Sequence, residues 1–241
     1  MAPMEAVQQR YRPPRDVTES TVGDLLANTR PIPEAKQLDL GGESPRGLRL
    51  WYAGDATLAR RPCVAIVGTR RVSIEGAARA RHLAWDLVRH GVVVVSGLAR
   101  GVDTEAMRAA MDAGGKTIGV IGTPIDVASP LENASMQEAV YESHLLVTQF
   151  QTGNPVSMWN FPARNRLMAL LADATVVIEA SDTSGTLHQA AECVKLGRWL
   201  FIAKSVVDDS GLKWPRSFAR CRVTKTLTRT RDVLDVLKLA A

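Results

Sequence analysis

The chain has 241 residues, long enough to bury one sizeable core, and 46% hydrophobic with 23% charged residues is ordinary for a soluble globular protein. A formal net charge of +5 admits an anionic partner without requiring one. No apolar run is long enough to span a membrane, and Met1 to Pro14 lacks the apolar segment of a signal peptide. Cys63, Cys193 and Cys221 form no C-x-x-C pair. They read as reduced residues of a cytoplasmic protein rather than as metal ligands or disulfides.

From Met1 to about Leu48 no period is sustained, and Pro13, Pro14, Pro31, Pro33 and Pro45 punctuate the segment. It reads as an N-terminal arm (1–48) wrapped on the core, with one short helix around Asp16 to Ala27. Leu48 to Ala53 has strand composition and suits an edge. From Cys63 onward, strand and helix signals alternate. The strand Cys63–Val67 leads to a helix from Ile74 to His90, with Ser73 as its N-cap. The strand Val92–Ser96 leads to a helix that Asp103 can cap, ending at Gly114-Gly115. The strand Thr117–Ile121 is followed by a helix near Glu132 to Ser143. The strand Leu145–Gln149 and an irregular loop, Phe150 to Asn160, precede a helix from Pro162 to Ala172. The strand Thr175–Glu179, a helix Thr186–Leu196 and the strand Trp199–Ala203 complete the alternation. Short β-branched runs separated by helices predict a doubly wound, mostly parallel α/β sheet of Rossmann-like type over 49–205. Residues 206–241 read as an extension packed on that core, with a strand at Arg222–Thr226 and a helix at Arg231–Leu239.

In such sheets, the loops leaving the strand C-termini line the ligand crevice. Four of them carry the chemistry for a phosphate: Gly68-Thr69-Arg70-Arg71, Ser96-Gly97 through Arg100-Gly101 to Asp103, Gly122 to Asp126, and Ser181 to Thr186. Glycine lets the backbone approach an anion, helix-start N–H groups point at it, and arginine adds a fork of donors. Neither a G-x-G-x-x-G fingerprint nor a G-x-x-x-x-G-K-[ST] loop is present, which argues against a nicotinamide oxidoreductase and an ATPase. Taken singly, each of these loops is also ordinary turn chemistry. Ser184-Gly185-Thr186 suits a phosphate or a plain helix cap. Glu179 suits a ribose hydroxyl or an arginine partner.

The densest basic stretch is Phe161-Pro162-Ala163-Arg164-Asn165-Arg166, at a predicted helix start. Cations are disfavoured there by the helix dipole, so Arg164 and Arg166 point to a bound anion, or else to nearby carboxylates. Phe161 can stack a base or act as a hydrophobic staple. His188 and the other histidines lack partners at metal spacing, and no cofactor is expected.

Together these motifs resemble the DNA-processing protein A family (DprA, also called Smf), over roughly Leu50 to Ala203. The matching pieces are Val64 to Arg70, Val95 to Asp103, Thr117 to Asp126, Phe161 to Arg166, Glu179-Ala180 and Ser184 to Leu187. The resemblance implies a non-enzymatic, single-stranded DNA-binding protein. It also implies protection of incoming DNA in natural transformation, loading of the RecA recombinase, and a homodimer. By position it carries the DNA contacts onto Gly68, Arg70, Gly97, Arg100, Arg164, Arg166, Ser184 and Gly185. Met107 stands where the family commonly has histidine, and Ser129 where tyrosine commonly precedes proline. The C-terminal winged-helix module and full helical N-terminal domain of longer members are expected to be absent.

An opposing reading is a phosphoribohydrolase of the Lonely-guy type, whose P-G-G-x-G-T-x-x-E motif ends in the glutamate of its glycosidic chemistry. The corresponding stretch here, Asp182 to Gln189, ends in an amide, which cannot act as a base. A nucleotide-binding module without a DNA role is the third reading.

Overall fold

The structure is a computed structural model in which residues 11–32 and 44–239 are described. Parts of the predicted arm, 1–10 and 33–43, lie outside the described residues.

Nine strands form one mixed sheet in the order β1-β2-β6-β5-β4-β3-β7-β8-β9. Strand β1 (Thr18–Thr21) and β2 (Arg49–Gly54) pair antiparallel with each other, and β2 pairs antiparallel with β6 (Leu145–Thr148). All other pairings are parallel, among β3 (Cys63–Val67), β4 (Val93–Ser96), β5 (Thr117–Ile121), β6, β7 (Ala174–Val177), β8 (Trp199–Ala203) and β9 (Thr224–Leu227). The predicted mostly parallel, doubly wound sheet is therefore what forms.

Successive residues on a strand face opposite ways, and the two faces are filled separately. Ala65, Val67, Val95 and Val120 pack with Leu167 and Leu170 of α5 (Asn160–Leu171) and Cys193 of α6 (Thr186–Lys195). Val64, Ile66 and Val94 meet Ala80, Leu83 and Leu87 of α2 (Ile74–Arg89), Ala106 of α3 (Val102–Asp112) and Val233 of α9 (Arg231–Leu237). On this second side, a smaller cluster joins Leu98, Ile121 and Leu146 to Met136 and Val140 of α4 (Ala134–Ser143). Leu87 is fully buried, so Leu87→Ala forfeits about 2–5 kcal/mol.

Three local readings change. The predicted helix over Asp16 to Ala27 divides into β1 and a short α1 (Val22–Leu26), because Thr18 to Thr21 pair residue by residue with Tyr52 to Arg49. Thr21 then caps α1, accepting from the Asp24 N–H at 3.2 Å. Asp103 does not cap α3; Gly101 holds that place at φ +74°, and the Asp103 carboxylate turns back to accept from the Gly97 N–H at 3.0 Å. Helix α5 begins at Asn160, before Pro162. The first four N–H groups of a helix have no intrahelical partner, so an early proline costs no bond. Arg164 and Arg166 consequently lie past the first turn. Two further short helices, α7 (Lys204–Val207) and α8 (Trp214–Phe218), precede β9.

Strands β3 to β6 step away to one side and β7 to β9 to the other. Between β3 and β7 the winding reverses: α2 leaves β3 toward one face and α6 leaves β7 toward the other. A ligand crevice belongs at that switch point.

Candidate functional site

The floor of the crevice is the loop after β3. The Ile178 N–H donates to Val67 O at 3.1 Å, Thr69 N–H to Glu179 O at 2.7 Å, and Val102 N–H to Thr69 O at 3.2 Å. These bonds hold three loops together, and glycine permits the closeness. A Cβ on Gly68 would lie 2.5 Å from Val102 Cγ2, and one on Gly101 2.3 Å from Thr69 O. The loop then delivers Arg70 and Arg71 to the surface.

The facing wall is the loop after β7 and the start of α6. Thr186 Oγ1 donates to Gly68 O at 3.0 Å, while Ser184 Oγ donates to Thr186 Oγ1 at 2.9 Å and accepts from Thr186 N–H at 3.2 Å. Gly185 is exposed, with no heavy atom within 4 Å of where its Cβ would lie. The two walls and α5 enclose a cleft of about 350 Å³, lined by Gly68, Thr69, Arg70, Phe161, Arg164, Asn165, Ser184, Gly185 and Thr186. An adjoining recess of about 250 Å³ shares Arg70, Phe161 and Arg164 and adds Gly97, Arg100 and Gly122.

Arg70 stands where the two hollows meet. Its guanidinium carbon lies 5.9 Å from the centroid of the Phe161 ring, and it has no carboxylate within ion-pair distance among the described residues. A cation over an aromatic face, across the cleft from the exposed Gly185, offers a phosphate and a planar ring adjacent seats.

Several other predicted residues make bonds within the protein. Arg164 is buried, and its Nη1 donates to Gly97 O at 2.6 Å and to Val120 O at 2.8 Å. Its guanidinium lies where a Gly97 side chain would go: a Cβ there would sit only 1.9 Å from Nη1. Burial pulls the Arg164 pKa down, and burial pushes the Asp103 carboxyl up, the two charges opposing both shifts. Arg166 points away from the cleft to Glu192 of α6, at 3.1 Å. Arg100 pairs through two donors with Glu132, at 2.6 and 2.7 Å. Glu179 accepts from the Ser73 hydroxyl at 2.7 Å and so secures the start of α2. Ser96 Oγ donates to Ile66 O at 2.8 Å, inside the sheet. Arg71 is exposed but lines neither hollow.

Several residues that line the hollows were not among the predicted contacts, including Ala99, Asp103 and Met168 in the cleft and Ser129 with Pro130 in the recess. Asp103 was indistinguishable from an N-cap. Ser129 and Pro130 line the second recess from a loop with no periodic signal. Among the described residues no cluster of His, Cys, Asp and Glu has the geometry of a metal site. Burial pushes the thiols of Cys63 and Cys193 up to about 11 and about 12, as inert core residues require. No described helix is long and apolar enough to cross a membrane.

The sequence profile described as DNA recombination-mediator protein A matches residues 36–238. The chain is 39% identical over 160 residues to DNA processing protein DprA of Streptococcus pneumoniae, covering 66% of this chain and 56% of that protein. Against the Bacillus subtilis DNA processing protein DprA the figures are 33% over 153 residues, 63% and 52%. The chain thus spans about half the length of these curated relatives. Among solved structures, that of the S. pneumoniae protein superposes with a TM-score of 0.75 at 31% identity, covering 94% of this chain and 76% of that one. A structure of Helicobacter pylori DNA processing protein A, described for its single-stranded DNA binding mode, gives 0.72 at 25% identity, covering 91% and 95%. A molybdenum cofactor binding protein from Rippkaea orientalis, at 0.53 and 18% identity over 74% of this chain and 96% of its own, shares the fold alone.

Proposed function

The chain belongs to the DNA recombination-mediator protein A family, and on that premise we propose that its cleft binds single-stranded DNA. The protein shields that DNA in natural transformation and recombination and passes it to the RecA recombinase, acting as a homodimer and without catalysis. The observation that carries the DNA reading is Arg70, a surface cation without a carboxylate partner among the described residues, set over Phe161 at the junction of the two hollows. A backbone phosphate takes the guanidinium fork of Arg70 and lies against the exposed Gly185, and the adjoining base stacks on Phe161. A cleft of about 350 Å³ has the size of a small-ligand pocket, which suits one splayed-out nucleotide and not a duplex. The named relative from H. pylori, with its single-stranded DNA binding mode, supports the same assignment.

Gln189 speaks against phosphoribohydrolase chemistry. It lies in the cleft wall, 1% exposed, with its Nε2 3.3 Å from Thr175 Oγ1, and an amide there supplies no general base. The homodimer and the RecA contact rest on the family alone.

The test is anisotropy of labelled oligonucleotides, single-stranded against duplex, across a salt series. Single strands are expected to bind more tightly with little sequence preference, and log affinity to fall with log salt by about 0.7 per phosphate contact. Equal affinity for duplex, or no salt dependence, refutes the assignment.

A further inference from the structure

The loop from β5 to α4, residues 122–133, supplies one side of the recess: Gly122 stands at its start, and Ser129 with Pro130 near its end. Both ends are tied to the core. Thr123 O accepts from the Thr148 hydroxyl at 2.7 Å, and Asn133 Nδ2 donates to Leu98 O and Thr104 Oγ1, each at 2.9 Å. The middle, Ile125 to Val127, is neither strand nor helix. Its own bonds run from the Val127 N–H to Pro124 O at 3.0 Å and from Thr123 Oγ1 to Val127 O at 2.7 Å. A stretch fastened so locally opens at low cost unless something outside it holds it down.

Tyr11 supplies that tie from 114 residues away: its hydroxyl donates to Ile125 O at 2.8 Å. The same hydroxyl accepts from Gln137 Nε2 at 2.9 Å, and that nitrogen lies 3.3 Å from Val127 O. One phenol and one amide thus hold two carbonyls of the loop's middle. Burial pushes the Tyr11 pKa up, so the hydroxyl keeps the proton it donates.

The next residue fixes the phenol in place. The Arg12 N–H donates to Glu138 Oε1 at 2.8 Å, and Arg12 Nε and Nη2 donate to Oε2 at 3.1 and 2.8 Å. Tyr141 OH donates to Arg12 O at 2.8 Å. Gln137, Glu138 and Tyr141 all belong to α4, which is anchored in the core through Met136 and Val140. Arg12 is therefore pinned to the helix, while the Tyr11 phenol reaches on to the loop.

Tyr11 itself lines neither hollow. Two residues beyond Val127 the chain arrives at Ser129, in the recess wall with Arg100 and Phe161. At the loop's other end, a Cβ on Gly122 would lie 2.9 Å from Phe161 Cδ1, so the loop also backs the aromatic ring. We propose that Tyr11 is a positioning residue for DNA: through Ile125 O and Gln137 it keeps the β5–α4 loop in the conformation that completes the recess, without touching the strand. The inference rests on the cleft and its recess binding single-stranded DNA. Affinity then scales with the fraction of molecules whose loop is in place.

The experiment compares wild type, Tyr11→Phe and Arg70→Ala. A labelled oligothymidine of about twenty-five nucleotides is titrated by anisotropy across a salt series, well below the melting temperature of each protein. Hydrogen exchange is followed over residues 122–133. Tyr11→Phe keeps the ring but leaves Ile125 O without its donor, which favours the open loop. Its affinity is expected to fall roughly three- to tenfold, with faster exchange in 122–133 and the wild-type rate in β5 and α5. Its salt slope is expected to match wild type, because no phosphate contact is lost, whereas Arg70→Ala is expected to bind more weakly with a slope shallower by about 0.7. Wild-type affinity for Tyr11→Phe, whatever its melting temperature, makes Tyr11 a structural residue only and refutes the proposal. A shallower slope refutes it too, since Tyr11 would then serve a phosphate contact, as does weaker binding with unchanged exchange in the loop. Wild type that fails to bind single strands refutes the cleft assignment and this inference together. Wild type that binds them no better than Tyr11→Phe refutes this inference alone.

Discussion

Arg164 and Arg166 are two residues apart, about 200° around a helix, and therefore cannot serve one site from one face. Arg164 reaches into the molecule and bonds two carbonyls of the sheet edge. Its removal leaves Gly97 O and Val120 O without that donor, and an unsatisfied buried group costs about 1–3 kcal/mol. Arg164→Ala is expected to melt several degrees early, at roughly 2–4 °C per kcal/mol for a chain of this size. Arg166→Ala is expected to change stability by less than about 1 kcal/mol, since a partly exposed pair contributes little. Arg70→Ala inverts the pattern: an unchanged melt, and oligonucleotide affinity lower by about 10- to 100-fold, the worth of one charge-assisted hydrogen bond. Gly185→Asp follows the same logic. Its side chain enters open space, so folding is unaffected, while its carboxylate meets the phosphate. Melts and anisotropy on these four variants check the assignment; a normal melt for Arg164→Ala, or normal binding by Gly185→Asp, contradicts it. The motif Phe161 to Arg166 was visible in the sequence as a basic cluster, but which arginine is solvent-facing depends on where α5 begins, and Pro162 gave a start two residues late.

At the level of elements, every parallel strand from β3 to β8 was legible, because each is a short apolar run closed by glycine or a polar turn. Strand β1 was not, since Thr18 to Thr21 bury nothing fully and become a strand only by pairing with β2. The segment preceding β1 is held in a similar long-range way. Tyr11 OH donates to Ile125 O at 2.8 Å, and Glu138 of α4 accepts from the Arg12 N–H at 2.8 Å and from Arg12 Nε and Nη2. The backbone N–H of Arg12, more than its side chain, holds the Glu138 pKa below the usual 4.5. A carboxylate lowered on folding contributes stability above its unfolded pKa and loses it as pH falls through the folded value. Wild type is therefore expected to melt above Glu138→Gln at neutral pH, with the gap closing from about pH 4.5 downward. A gap that is constant with pH, or that widens in acid, removes this contact from the stability of the N-terminal segment.

For the whole molecule, charge and site are separable. Residues 204–238 hold nine Lys and Arg against four Asp, so residues 1–203 hold 21 Lys and Arg (30 less 9) and 21 Asp and Glu (25 less 4), no formal net charge over that part of the chain. Binding in the cleft is therefore expected to be local, depending on Arg70 and Phe161 and not on a general field. A ligand that binds only the folded state stabilises it by about 2.7 kcal/mol at a hundred times its dissociation constant. At roughly 2–4 °C per kcal/mol, a saturating single-stranded oligonucleotide is expected to raise the melting temperature by about 5–10 °C. Because the basic segment 204–238 also attracts strands when unfolded, and affinity for the unfolded chain subtracts from the shift, a strand of about six nucleotides is compared with one of about twenty-five. Arg70→Ala is expected to abolish the shift for the short strand, and added salt to erase it for both by removing the entropy gained when counterions leave the phosphates. A duplex of the same length and charge serves as the control for the field alone. If that duplex raises the melting temperature as much as the single strand does, the cations act without the cleft, and the assignment of Arg70 and Phe161 to a nucleotide seat is wrong.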